Sequence, residues 1–148
     1  MSAEENKAVI RRLFEEVYNG QNMDVLDELV AEDVVNHSAV AEHQRGIEGF
    51  KHVMEWGYAL SPDARYELLN IIAEGDMVAC RVRVGGTMQG EMFGVPPTGR
   101  GFSAEHVHWH RVEGGKLVER WAVRDDLGTL IQLGIVDPPG RYKADDPD

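Results

Sequence analysis

The chain has a single cysteine, Cys80, in 148 residues. An intramolecular disulfide and a cysteine-built metal knuckle are therefore excluded. Cys80 sits in a strand-like run, MVACRVRV, which predicts a buried structural thiol. Positive charge is also scarce: 15 Lys and Arg stand against 26 Asp and Glu, a net charge of −11. A phosphate binder needs a basic stripe, and none is present, so nucleic acid is excluded as the main partner. Long apolar runs are missing, and with them any membrane-spanning helix. The opening MSAEENKAVIRRLFEE has neither the basic head nor the apolar run of a secretory signal. The expectation is a cytoplasmic protein, and the length suits one domain. With 43% hydrophobic and 28% charged residues, the composition is that of an ordinary soluble fold.

Helical periodicity fills the first part of the chain. Val9, Ile10, Leu13, Phe14 and Val17 form an apolar stripe that predicts a helix from about Ala3 to Asn19, stopped by NGQN. A short helix is expected over Met23–Leu29, then an extended piece, EDVVNHS. A third helix is expected over Ile47–Leu60, ended by Ser61-Pro62. The period then changes to that of strands. Tyr66–Ala73 and Met77–Val84 are expected strands joined by a turn at Glu74–Asp76, the second continuing past Gly85-Gly86. After the loop GEMFGVPPTGR come strands over Phe102–Val112 and Leu117–Asp125, joined by EGGK. A helical turn over Asp126–Leu133 stops at Gly134. Residues 135–148 form an acidic, proline-rich tail beyond the domain at 1–134. No internal repeat is present. Helices followed by a meander of antiparallel strands give an α+β domain, with helices over the concave face of a curled sheet and a pocket between them.

Four places can carry chemistry. In WAVRDD, strand alternation puts Trp121, Val123 and Asp125 on one face, so an apolar face ends in a carboxylate. Asp125 is then either a desolvated acid/base group in the pocket or the N-cap of the last helix. The doublet allows Asp126 to cap while Asp125 serves the pocket, with Arg124 pointing to the other face. In AEHVHWHRV, His106, His108 and His110 share one face and Val107 and Trp109 the other. Three readings stay open for these histidines: a metal site, a polar pocket wall, or a solvated or interface row. The outer end near His110 and Arg111 best suits the last. His37, in VVNHSAV, is either a structural histidine or a catalytic one. In GEMFGVPPTGR, Phe93 and Met92 can form a pocket lip, or the loop can be a rigid connector.

Three segments together resemble the SnoaL-like polyketide cyclases of the NTF2-like superfamily. They are NKAVIRRLFEEVYNGQNMDVLDELVAEDVVNHS, GEMFGVPPTGR before a strand ending in HR, and GGKLVERWAVRDDLGTLIQLG. The PPTGR loop and the ending W-x-x-x-D-x-L-G-x-x-x-QLG are together quite specific, and the tail lies outside the resemblance. The resemblance implies a cone: a curled antiparallel sheet wrapped by three N-terminal helices around a deep pocket. It implies ring closure by intramolecular aldol condensation on an aromatic polyketide ester, with no cofactor, metal or Schiff base. The family's acid/base aspartate falls on Asp125, its histidine near the second helix on His37, and its polar strand residues within His106 and His108. Trp121, Val123, Phe93 and His110 are the expected pocket lining.

The function expected is a cofactor-independent cyclase or isomerase of an apolar, carbonyl-bearing small molecule. The alternatives are a non-catalytic binding or dimerisation module and a histidine-metal enzyme. A homodimer or homotetramer is expected, through a convex sheet face bearing Val107 and Trp109.

Overall fold

The first helix begins with a reciprocal cap. The Ser2 hydroxyl accepts the Glu5 N–H at 3.1 Å, and the Glu5 carboxylate accepts the Ser2 N–H at 2.7 Å. In the computed structural model, which describes residues 1–140, α1 spans Ala3–Arg12 and runs straight on into wider π-type turns over Leu13–Asn19. The expected apolar stripe is the reason this face turns inward: Ile10, Leu13, Phe14 and Val17 are all buried. Asn19 ends the run by bracketing the backbone of Tyr66, donating to its carbonyl at 2.8 Å and accepting its N–H at 2.7 Å.

A 3₁₀ turn at Met23–Val25 leads into α2, Leu26–Leu29, so the expected Met23–Leu29 helix is present in two pieces. The extended piece is β1, Val30–Asn36. The helix α3 covers Ile47–Leu60, and Ile47, Phe50 and Met54 are its buried face. Four strands follow: β2 Arg65–Glu74, β3 Met77–Thr87, β4 Gly101–Glu113 and β5 Lys116–Arg124. Then comes α4, Asp126–Gln132. Of the expected tail, residues 141–148 lie outside the described residues.

The sheet order is β1-β5-β4-β3-β2. Neighbours β2 to β5 are antiparallel, but β1 joins β5 in parallel, with Asn36 opposite Arg120. The expected purely antiparallel sheet is therefore a mixed one. An isolated run such as EDVVNHS does not reveal which strand edge it will find. Register shifts at Leu68/Asn70 and at Arg111/Val112 interrupt the ladders, and bulges of this kind let a sheet curl. On β3 the inward positions Val78, Cys80, Val82 and Val84 form the floor of the core beneath the helical stripe. Burial pushes the Cys80 thiol up to about 12, as expected of an inert structural cysteine.

Two glycines close the wide end. A Cβ at Gly86 would lie 3.0 Å from the Ala64 Cα and would strike the Ser61 hydroxyl. A Cβ at Gly90 would lie 3.0 Å from the Leu60 Cα. Both let the strand and loop press against the end of α3, which brings the Met88–Arg100 loop over the concave face. No helix among the described residues is long and apolar enough to cross a membrane.

Candidate functional site

Between the concave face of the sheet and α3 lies a cavity of about 490 Å³. Phe50, Met54 and Leu60 of α3 line one side, and Val84, His106, His108 and Arg120 of the sheet line the other. Asp126 and Thr129 of α4 and its C-cap Leu133 line one end, and Phe93 and Trp56 stand at the mouth.

The histidine row on β4 keeps its expected parity. His106 and His108 line the cavity, while Val107 and Trp109 are 44% and 48% exposed on the outer face. His110 lies on the inner side too, but not in the cavity. It is fully buried, its ring sits 6.2 Å from Phe14 edge-on, and its Nδ1 is 3.1 Å from the Val78 carbonyl. Nδ1–H donates there, which makes His110 a core residue and corrects both its pocket and its solvated readings.

On β5 the parity is reversed from expectation. A regular hairpin across Glu113–Lys116 would set His108 opposite Trp121 and His106 opposite Val123. The bulge after Val112 leaves Val118 without a partner, and the pairs become Trp109↔Trp121 and Val107↔Val123. One extra residue moves every later side chain to the other face. Trp121 and Val123 are therefore outside, Val123 at 74% exposure, and Arg120 and Arg124 line the cavity instead. Arg124, expected on the far face, stands beside His106.

His37 follows the same shift. In the parallel pairing Asn36 is buried and lines the cavity, so His37 turns outward. It stacks on Trp121 at 4.8 Å with 7° between the rings, and its Nε2 lies 2.8 Å from Glu119 Oε2. The hydrogen bond to His37, then that to Arg111, holds the Glu119 carboxyl below its usual range. The expected pocket histidine is thus on the convex face.

The aspartate doublet divides its work the other way round. Asp125 Oδ1 accepts the Gly128 N–H at 2.9 Å and caps α4. Asp126 lines the cavity, with Oδ1 3.3 Å from Arg124 Nε. The lip is where it was expected: Phe93 lines the mouth at 76% exposure, 6.2 Å from the Trp56 ring, and Met92 lines it too.

Two residues that sequence reasoning passed over form the polar floor. Arg120 is 6% exposed. Its guanidinium donates to Asn36 Oδ1 at 3.0 Å and to His108 Nδ1 at 2.9 Å. Because Nδ1 accepts, the proton of His108 sits on Nε2, which is buried without a partner. Asn36 and Arg120 were each one residue from a feature that drew attention, His37 and Trp121. The signal for them was the register, not the residue type.

The electrostatics follow from burial. Desolvation, helped by Arg124, pushes His106 down to about 4. Desolvation and then the Arg120 charge hold His108 well below the ordinary imidazole range. Both rings are neutral donors at pH 7. Their rings stack at 5.7 Å, and His108 and His110 at 6.0 Å. Among the described residues, no three His, Cys, Asp or Glu side chains come together as a metal ligand set. The site can polarise a carbonyl oxygen, and it has the Asp126 carboxylate at its α4 end for proton transfer.

Comparison with known proteins bears on this geometry. Aklanonic acid methyl ester cyclase DauD of Streptomyces sp. (strain C5) is 34% identical over 130 residues, covering 85% of this chain and 80% of that protein. Nogalonic acid methyl ester cyclase of Streptomyces nogalater is 35% identical over 120 residues, covering 79% and 89%. Among solved structures, IdmH of Streptomyces antibioticus superposes with a TM-score of 0.76 at 36% identity, covering 87% of this chain and 98% of that one. AclR of Streptomyces galilaeus, provisionally a hydroxylase, superposes with a TM-score of 0.80 at 32% identity, covering 95% and 88%. The profile of the SnoaL-like polyketide cyclases matches residues 8–133, which is most of the cone and all of its site, and the chain belongs to that family.

Proposed function

We propose that the protein closes a ring within an apolar, carbonyl-bearing small molecule by an intramolecular aldol step that needs no cofactor. The observation that carries this reading is one cavity, mainly apolar, holding neutral imidazoles on its floor and the Asp126 carboxylate at its α4 end. The names of the relatives, cyclases of aklanonic and nogalonic acid methyl esters, point to polyketide methyl esters as the substrate class.

The chemistry needs little machinery. A carbon between two carbonyls is already acidic. Asp125 takes its proton, and the enolate oxygen accepts hydrogen bonds from His106 and His108. The enolate carbon bonds to a carbonyl carbon of the same molecule, and the new alkoxide takes the proton back. Holding both ends of one substrate in a single pocket supplies proximity, and fixed donors supply charge stabilisation. Asp125 holds the family's position, and its Oδ2 is not used by the helix cap. Asp126 is the second reading for the base, because it lines the cavity.

The test is turnover of an aklanonic-type methyl ester by Asp125→Asn and Asp126→Asn. The first is expected to lose about 10²–10⁴-fold in kcat, while asparagine keeps the cap and the fold. A loss confined to Asp126→Asn moves the role to that residue. Wild-type turnover in both variants removes the doublet from the mechanism. We also propose that the exposed apolar convex face, with Val107, Trp109 and Val123, is where two copies of the chain meet.

A further inference from the structure

Arg120 is a cation with no anion. Among the described residues, no carboxylate pairs with its guanidinium, although it lines the cavity. A guanidinium has five N–H donors. Here one is given to Asn36 and one to His108, both neutral acceptors, and the Nε–H is buried with no partner at all. Among the described residues, the other N–H on each terminal nitrogen has no protein acceptor either.

Burying a charge without a counter-charge is costly. A residue whose task was structural would cost less as leucine or methionine, since strands β1 and β5 are already joined through their backbones. The two acceptors also have a consequence for aim. Asn36 and His108 hold the planar fork from two strands, so it cannot swing out to solvent, and it faces the cavity. The surrounding chemistry agrees: the Arg120 charge is among the causes that keep both His108 and His110 unprotonated.

We propose that Arg120 is the anion-holding residue of the cavity, and that the molecule it receives presents an acidic enol or phenol oxygen, which binds as the enolate or phenolate. This rests on the cavity being the reaction site. It deepens that reading by naming what the substrate must carry: an ionisable hydroxyl conjugated with a carbonyl. In the aldol step Arg120 supplies the charge that the neutral imidazoles lack, so the enolate formed by proton removal meets a full positive charge rather than dipoles alone. No bond is made or broken at Arg120, and it keeps its proton throughout.

The experiment needs no turnover. The probe is 1,2-dihydroxyanthraquinone, whose phenol and phenolate forms differ in colour, titrated free and bound to the full chain. The titratable groups packed round Arg120 do not interfere. Burial holds His106 at about 4, His110 at about 3 and His108 well below its ordinary value, and it raises the Tyr66 phenol. The expected result is a bound midpoint lowered by about one pH unit or more, a tenfold preference for the phenolate. Arg120→Gln abolishes the lowering and Arg120→Lys keeps part of it. A wild-type midpoint that is unchanged or raised, as burial alone would give, overturns the proposal, as does failure of the wild type to bind the probe. The wild-type titration decides even where a variant fails to fold. The two readings fail separately: a lowered midpoint without cyclisation leaves Arg120 in place, and cyclisation with an unshifted midpoint removes it.

Discussion

Strand β3 keeps the usual rule, with Val78, Cys80, Val82 and Val84 inside, whereas parts of β4 and β5 reverse it. On the concave face, β4 and β5 present His106, His108, Arg120 and Arg124 toward the cavity. On the convex face the same strands present Val107, Trp109, Trp121 and Val123, with Val123 74% exposed. Residues one step apart in sequence, Arg120 and Trp121, thus belong to different purposes. A buried polar face is costly, and groups whose titration is perturbed in this way cluster at functional sites. The exposed apolar patch is the surface proposed above to meet a second copy. The inner face is also the one tied to the core, because Phe14 lies edge-on to His108 at 5.3 Å and to His110 at 6.2 Å.

That tie gives the largest expected effect. Phe14→Ala removes the ring that covers the histidine row and is expected to cost about 3–5 kcal/mol in denaturant unfolding. A cost below about 1 kcal/mol would mean the inner face does not depend on the helical stripe above it.

Acid sharpens the comparison next. His106 and His110 are pushed down to about 4 and about 3 when folded, chiefly by desolvation. An unfolded histidine titrates near 6.5, so below that the unfolded chain binds more protons than the folded one. The stabilisation from keeping these rings neutral is complete above pH 6.5. It is lost as pH falls toward the folded values, at up to about 1.4 kcal/mol per pH unit for each ring. Thermal unfolding at pH 7 and pH 5 should show the drop, and His110→Leu should flatten it. A flat profile in the wild type would put the row in contact with water. The convex face has no such signature and breaks differently: Trp109→Glu is expected to leave turnover within about twofold and to convert the assembly to monomers in light scattering. An unchanged mass would leave the apolar face without its proposed second copy.

Much of this was legible from the residues. The stripe Ile10, Leu13, Phe14 and Val17 required a buried helix, and the alternation in HVHWH required histidines on one side and Trp109 on the other. Elements defined by their own periodicity, such as α3 over Ile47–Leu60, came out at the expected bounds. What was not legible turned on pairing. The bulge at Val118 has no residue-level signal, since valine suits a regular strand equally well. It nevertheless decides whether Trp121 or Arg120 faces the cavity. The parallel docking of β1 is a contact between segments more than eighty residues apart, and it decides between Asn36 and His37. The site's floor was missed for that reason: Arg120 and Asn36 look like surface residues until the register is known.

The smallest effect separates the two roles of Asp125. As the N-cap of α4 its carboxylate accepts the Gly128 N–H at 2.9 Å, an interaction that asparagine or serine reproduces and alanine does not. Asp125→Ala is expected to lower stability by about 1 kcal/mol, while Asp125→Asn and Asp125→Ser stay within a few tenths of the wild type. Turnover sorts the same variants otherwise: all three lose the base, and none should recover with the cap. A serine variant that keeps both stability and activity would reduce Asp125 to a helix cap and leave proton transfer to Asp126, the member of the doublet that lines the cavity.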